Sequence, residues 1–255
     1  MSPVVITLLV VGGIAILLAI GYINSLIESR NLERARRKAE LGDLIKRCAR
    51  LSEGLPGQFM SGPLKLLLAR LELLDCEHLL PLDKQNTALR ERIEELRRLI
   101  AQGEAIAVPN APQKVFNEAK AKEIRYQLDD LHAQIGRAAR AGLLGTQEAK
   151  RWVQQIRDML VRTHIELFNN LGQAALQQNR PGQARLAFER GVQYLRKLAD
   201  PTPYEAELKR LEVQLEQANA LVLDRLKPGA GDPSELTEAL KTLEDDDWKK
   251  KQIYD

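Results

Sequence analysis

The chain has 255 residues, and its 38 lysines and arginines so nearly balance its 35 aspartates and glutamates that the formal net charge is only +3. A net charge this small does not by itself indicate a nucleic-acid-binding protein. Aromatic residues make up 4 % of the chain, whereas leucine, alanine, glutamate, arginine and glutamine are abundant, a composition that favours helices over sheets. After residue 23 there is no strand-like run of alternating β-branched residues, so we expect an all-α fold.

Residues 4–23 form an uncharged apolar run in which Thr7 is the only polar interruption. As a helix, this run would be about 30 Å long, which matches the hydrocarbon core of a bilayer. A cleaved signal peptide and a buried core helix are the alternatives. A signal peptide would have a basic start and a small-residue cleavage site, and Met1-Ser2-Pro3 carries no lysine or arginine. The run therefore predicts a single transmembrane anchor, residues 1–27.

A basic segment follows the apolar run, in a predicted juxtamembrane helix and linker over residues 28–62. Its first basic residues are Arg30, Arg34, Arg36, Arg37 and Lys38. Because basic flanks stay in the cytoplasm, we expect the N-terminus outside and the C-terminal domain in the cytoplasm, at the inner membrane in a bacterium. The cysteines, Cys48 and Cys76, are too few to imply a disulfide framework, which fits a reducing compartment.

Three small residues in the apolar run share one helix face. They are Gly12, Ala15 and Ala19. Faces of this kind let two membrane helices approach closely, so they predict self-association of the anchor. The alternative is that glycine and alanine are simply common in membrane helices.

Two heptad-like apolar stripes mark residues 63–141 as a helical hairpin region. A leucine-rich helix starts at Ser61-Gly62-Pro63, and helices are then expected over residues 83–102 and up to about 141, separated by a linker at Gly103–Pro112. The stripes are Leu89, Ile93, Leu96 and Ile100, then Ile124, Leu128, Leu131, Ile135 and Ala138. They predict an antiparallel, coiled-coil-like hairpin, with ordinary bundle packing as the alternative.

Residues 142–226 contain a spaced set of aromatic, aliphatic and small residues around a turn at Asn179–Gly182. The set is Phe168, Leu171, Gly172, Ala184, Phe188 and Gly191. Residues 165–198 thus resemble one copy of the tetratricopeptide repeat, a helix–turn–helix unit of about 34 residues. In this chain Ala175 replaces the usual tyrosine of the repeat, and its terminal proline is displaced to Pro201.

The resemblance implies a closely packed helix pair, with small residues at the contact and Phe188 filling the crevice. It also implies that a final helix, about Tyr204 to Leu226, caps the pair. The resemblance is only weak evidence for peptide binding, because about three repeats are usually needed to form a concave binding surface.

Residues 227–255 begin with a proline- and glycine-rich stretch that predicts a flexible tail. Acidic residues, a tryptophan, three lysines and two apolar residues follow at the end. Exposed aromatic residues in a mobile tail are typical anchors for a protein partner, which predicts partner contacts by Trp248, Ile253 and Tyr254. The alternatives are that these residues dock on the protein's own helices or that the tail is inert.

Candidate catalytic residues are sparse. The histidines His78, His132 and His164 are scattered over predicted helices, and the sequence lacks a phosphate-binding glycine loop, a nucleophile elbow and zinc-ligand spacing. Cys76 and His78 would lie on different helix faces. We therefore expect no enzyme activity, no cofactor and no metal.

These patterns together favour a membrane-anchored cytoplasmic adaptor or scaffold that recruits protein partners through the helical surfaces of residues 165–226 and through its tail. One alternative is a structural subunit of an envelope complex that uses the anchor and residues 83–141. A weaker alternative is a membrane-linked nucleic-acid-binding protein. Its candidate contacts are Arg34, Arg36, Arg37, Lys38, Arg90, Arg92, Arg97 and Arg98.

Overall fold

A computed structural model describes the backbone of residues 3–226, with side chains from Ile20 onward except Glu104 and Leu226. The described residues contain seven α-helices, two short 3-10 turns and no strand, which confirms the all-α prediction. The helices are α1 (Pro3–Gly54), α2 (Gly62–Leu79), α3 (Thr87–Ala101), α4 (Glu118–Arg140), α5 (Thr146–Gln177), α6 (Pro181–Arg196) and α7 (Glu205–Leu226). The chain divides into two compact units between Ala111 and Pro112, here called unit 1 and unit 2.

Within the described part of the chain, no helix combines the length and the apolarity that crossing a bilayer requires. Side chains are described only from Ile20 onward, so those of most of the predicted apolar run, residues 4–23, are not described. The positions outside the described side chains include Gly12, Ala15 and Ala19. The described residues therefore do not support the anchor, which stays a prediction from the sequence.

Helix α1 runs without a break from the predicted anchor to the packed part of unit 1. Every residue from Ile20 to Glu40 is exposed, so this stretch, about 30 Å long at 1.5 Å per residue, buries no side chain against the described residues. Burial begins later along the helix, where Leu41 and Ile45 pack against the core of unit 1. The predicted juxtamembrane helix is thus part of a longer helix that ends at Gly54.

The core of unit 1 forms where α2 packs on both α1 and α3. Its buried members are Ala69, Cys76, Leu79, Leu89, Ile93 and Leu96. Helix α2 starts where the sequence predicted, because the Ser61 hydroxyl accepts a hydrogen bond from the Leu64 amide at 3.3 Å. Helix α3 starts later than the predicted residue 83, because Asn86 provides its cap and accepts from the Leu89 amide at 3.0 Å.

The predicted hairpin over residues 63–141 does not form as expected. Its first stripe, on α3, packs against α2, while α4, which carries the second stripe, packs against α5. The two stripes also fall in different units. Both stripes mark buried faces correctly, but a stripe does not specify which helix covers it. That choice depends on the connections, and Gly103–Pro112 separates α3 from α4.

Unit 2 stacks four helices so that each packs on the next in the chain, from α4 to α7. Its core includes the buried residues Val161, Ala175, Ala184, Phe188, Val192, Leu195, Tyr204, Leu211 and Ala218. The segment before α4 is held by α5 at Val115. The Val115 amide donates to Glu166 at 2.9 Å, and its carbonyl accepts from Asn170 at the same distance.

Two helices of unit 2 end in the same hydrogen-bond pattern, in which a residue with positive φ reverses the chain. At the end of α5 this residue is Asn179, with φ 59°, and the Arg180 amide returns to the Ala175 carbonyl at 2.8 Å. At the end of α4 it is Gly142. On α7, the Arg225 guanidinium donates to the Asn179 carbonyl at 2.7 Å, so this turn also contacts the end of the last helix.

Candidate protein-docking groove

The predicted repeat residues meet at the contact between α5 and α6. Ala184 and Phe188 are fully buried, Gly172 and Gly191 are buried, and Phe168 and Leu171 are half-buried. A side chain at Gly172 would overlap the Phe188 ring. At Gly191, an added methyl group would approach Phe168 Cβ to 3.1 Å and Leu211 Cδ1 to 3.0 Å. The two glycines therefore let α6 contact α5 on one side and α7 on the other.

An aromatic group extends this contact. The His164 and Tyr194 rings stack with centroids 4.7 Å apart, and Phe168 lies 6.3 Å from Tyr194. His164 Nδ1 also bonds the Leu160 carbonyl at 2.8 Å. Burial lowers the pKa of His164 and raises the pKa of Tyr194 to about 12. Both groups are therefore neutral at pH 7, as expected of residues that pack.

A groove of about 200 Å³ lies on unit 2 between α5 and α7. It is lined by Arg162, Ile165, Glu166, Asn169, Glu207, Arg210 and Leu211. We call it the α5–α7 groove. Two arginines and two glutamates surround an apolar floor of Ile165 and Leu211, so the groove offers both signs of charge beside an apolar surface. This combination suits a polypeptide better than a small apolar ligand.

Asp158 fixes one wall of the groove. Its carboxylate accepts from the Arg162 guanidinium at 2.8 Å and from the Tyr204 hydroxyl at 2.8 Å. Burial raises the pKa of Tyr204, and its hydrogen bond to Asp158 adds to the effect, so this hydroxyl keeps its proton at neutral pH. Tyr204 directly precedes α7, and the bond therefore ties the start of α7 to α5.

A buried amide oxygen in the groove has no hydrogen-bond partner. This atom is Oδ1 of Asn169, and Oε1 of Gln214, one turn beyond Arg210 on α7, is in the same state. A buried acceptor without a donor costs about 1–3 kcal/mol.

The other predicted site residues are dispersed. Arg30, Arg34, Arg36, Arg37 and Lys38 are all exposed on α1, and Lys38 pairs with Asp83 at 2.9 Å. Trp248, Ile253 and Tyr254 lie outside the described residues, as does the whole predicted tail.

Unit 1 holds a buried charge pair that resembles a functional site at first sight. The Glu72 carboxylate, 1 % exposed, accepts from the Arg92 guanidinium at 2.6 Å. Arg92 also bonds Glu95 at 2.8 Å. Burial raises the pKa of the neighbouring Cys76 thiol to about 12, so this thiol is not a nucleophile at neutral pH. The pair holds α2 to α3, and we assign it a structural role.

Among the residues whose side chains are described, no three histidines, cysteines or acidic residues group as metal ligands would. Comparison with known protein families, with curated proteins and with solved structures gives no match.

The sequence did not identify the α5–α7 groove. Its residues lie at helical spacing on α5 and again on α7, but about forty residues separate the two sets, and helix spacing alone does not pair distant helices. Only the packing of both helices against α6 brings the two sets together.

Proposed function

We propose that this protein is a membrane-anchored adaptor, in which the N-terminal run 4–23 holds the chain at a membrane and unit 2 binds a protein partner in the α5–α7 groove. The lining of the groove carries the proposal, because it sets two arginines and two glutamates beside the apolar Ile165 and Leu211. An extended peptide offers apolar side chains for this floor and polar groups for the charged residues around it. The resemblance of residues 165–198 to a single tetratricopeptide repeat adds only weak support for a protein ligand, because about three repeats usually form a binding surface.

The exposed stretch of α1 fits the same role. With the basic segment placed in the cytoplasm, residues 28–40 would hold the packed part of unit 1 about 20 Å from the predicted anchor. Anchoring would also raise the effective concentration of the adaptor for partners at the same membrane.

The ion pairs of α3 weigh against the nucleic-acid alternative. Arg92 is paired with Glu72 and Glu95, and Arg97 with Glu77 and Glu94. Phosphate binding at these positions would have to compete with carboxylates that are already bonded. The envelope-subunit alternative loses one of its predicted surfaces, because residues 83–141 do not form one hairpin.

Membrane placement is tested with the full chain carrying a C-terminal reporter. We expect the protein in the membrane fraction and the reporter active only in the cytoplasm. A soluble protein after cell fractionation, or a reporter that is active outside, would contradict the proposal.

The groove is tested by crosslinking and pull-down with Arg210→Glu and with Lys209→Glu as the matched control. Both substitutions reverse one exposed charge on the same turn of α7, but only Arg210 lines the groove. We expect Arg210→Glu to lose the captured partners and Lys209→Glu to keep them. Equal capture by the two variants would refute binding in the groove.

A further inference from the structure

We propose that the C-terminal segment 244–251 of this chain docks in the α5–α7 groove and covers it until a partner displaces the segment. The inference rests on the proposed function, because it takes the groove to be the partner site. It adds the ligand that occupies the groove in the absence of a partner.

The order of charges in the segment matches the lining of the groove. Four acidic residues, 244–247, precede Trp248, and three lysines follow it. In the groove, Arg162 and Arg210 lie beside Glu166 and Glu207. The Nε atom of Arg162 bonds Asp158, and a guanidinium has four further N–H donors for an incoming carboxylate.

The apolar groups are complementary as well. Ile165 and Leu211 form the apolar floor, and an indole is the largest apolar group that the segment offers.

The length of the intervening chain favours this site. From Leu226 back to Arg210, α7 covers about 24 Å at 1.5 Å per residue. Seventeen residues, 227–243, connect Leu226 to the segment, and as a flexible chain they would have a root-mean-square span of about 23 Å. Intramolecular binding is strongest when these two lengths agree.

Docking of the segment would make partner binding competitive. A partner with an acidic residue next to an aromatic one would displace the tail, and a partner without them would not. The released Trp248 would then be accessible to solvent or to a second protein.

The experiment uses the full chain in nanodiscs, with Trp152→Phe so that Trp248 is the only tryptophan. Trp248 emission and its quenching by acrylamide are measured in this parent and in two variants of it, one with Arg210→Glu and one with Lys209→Glu. We expect a blue-shifted, poorly quenched Trp248 in the parent and in Lys209→Glu, and severalfold stronger quenching in Arg210→Glu. Replacing residues 245–247 by lysine in the Arg210→Glu background should restore protection.

Three results would overturn the inference. The first is quenching in the parent as strong as in a synthetic peptide of residues 240–255. The second is protection that grows with protein concentration, which would place the tail on another copy. The third is protection that requires anionic lipid and ignores Arg210→Glu, which would place the tail on the membrane.

The pull-down separates this inference from the proposed function. If Trp248 is accessible in the parent but Arg210→Glu still loses its partners, the tail inference fails and the adaptor groove stands. If Trp248 is protected through Arg210 but all partners are retained, the tail docks and the groove is not the partner site.

Discussion

Units 1 and 2 hold their helices together in different ways. In unit 1, α2 and α3 are joined by the buried Glu72–Arg92 pair beside an aliphatic core. In unit 2, α5 and α6 approach closely because Gly172 leaves room for the fully buried Phe188 ring. A buried ion pair depends on keeping both partners, whereas a glycine contact depends on shape. The two units should therefore respond to different kinds of substitution.

The largest expected effect comes from Arg92→Met in unit 1. The substitution leaves the Glu72 carboxylate buried without its partner, which costs about 3–5 kcal/mol. Far-UV circular dichroism during urea unfolding would show the loss, while Trp152 fluorescence, which reports on unit 2, should change little in a Trp248→Phe background. Arg97→Met is the control, because the Arg97 pairs are exposed and contribute little. Equal losses in the two variants would show that burial of the pair does not matter.

Gly172→Ala in unit 2 should have the next largest effect. Its methyl group would overlap a ring that is fully buried, and overpacking of this kind costs about 1–3 kcal/mol. The loss should appear as an earlier Trp152 transition, and Phe188→Leu in the same chain should recover part of it.

The control for Gly172 is Gly136→Ala on α4. A methyl group at residue 136 has no described atom within 4 Å, so alanine should stabilise the helix by about 0.5–1 kcal/mol. Changes of the same sign at residues 172 and 136 would refute the close-contact interpretation.

The smallest expected effect is a pH dependence of opposite sign in the two units. Burial raises the pKa of Glu72 above its ordinary 4.5, against the opposing effect of Arg92. As the pH rises above 4.5, the unfolded chain releases a proton that the folded chain keeps, so unit 1 loses stability. Burial lowers the pKa of His164 below 6.5. As the pH falls below 6.5, His164 binds a proton in the unfolded chain but stays neutral in the folded chain, so unit 2 loses stability.

Urea midpoints measured between pH 4 and pH 7.5 test both signs. Glu72→Gln should flatten the profile of the circular-dichroism transition, and His164→Gln should flatten that of the Trp152 transition. A profile that neither substitution changes would assign the pH dependence to other groups.

The sequence alone predicted where most of the described helices lie and which faces of α3 and α4 are buried. Helical spacing identified Leu89, Ile93 and Leu96 as core residues of α3, and capping chemistry placed the start of α2 at Ser61. Both signals act within one or two turns of chain, so they can be read locally. The small residues at 172 and 191 could be assigned to helix contacts because they matched a known spacing.

The tertiary structure alone decided which helices pack together. It placed α3 on α2 and α4 on α5 instead of pairing α3 with α4, and it brought Arg162 and Asn169 beside Glu207 and Arg210. An apolar stripe does not specify which helix covers it, because the hydrophobic effect is non-directional and any apolar face can cover another. Loop connections and close contacts such as Gly172 with Phe188 select the pairing, and the α5–α7 groove exists only after that selection.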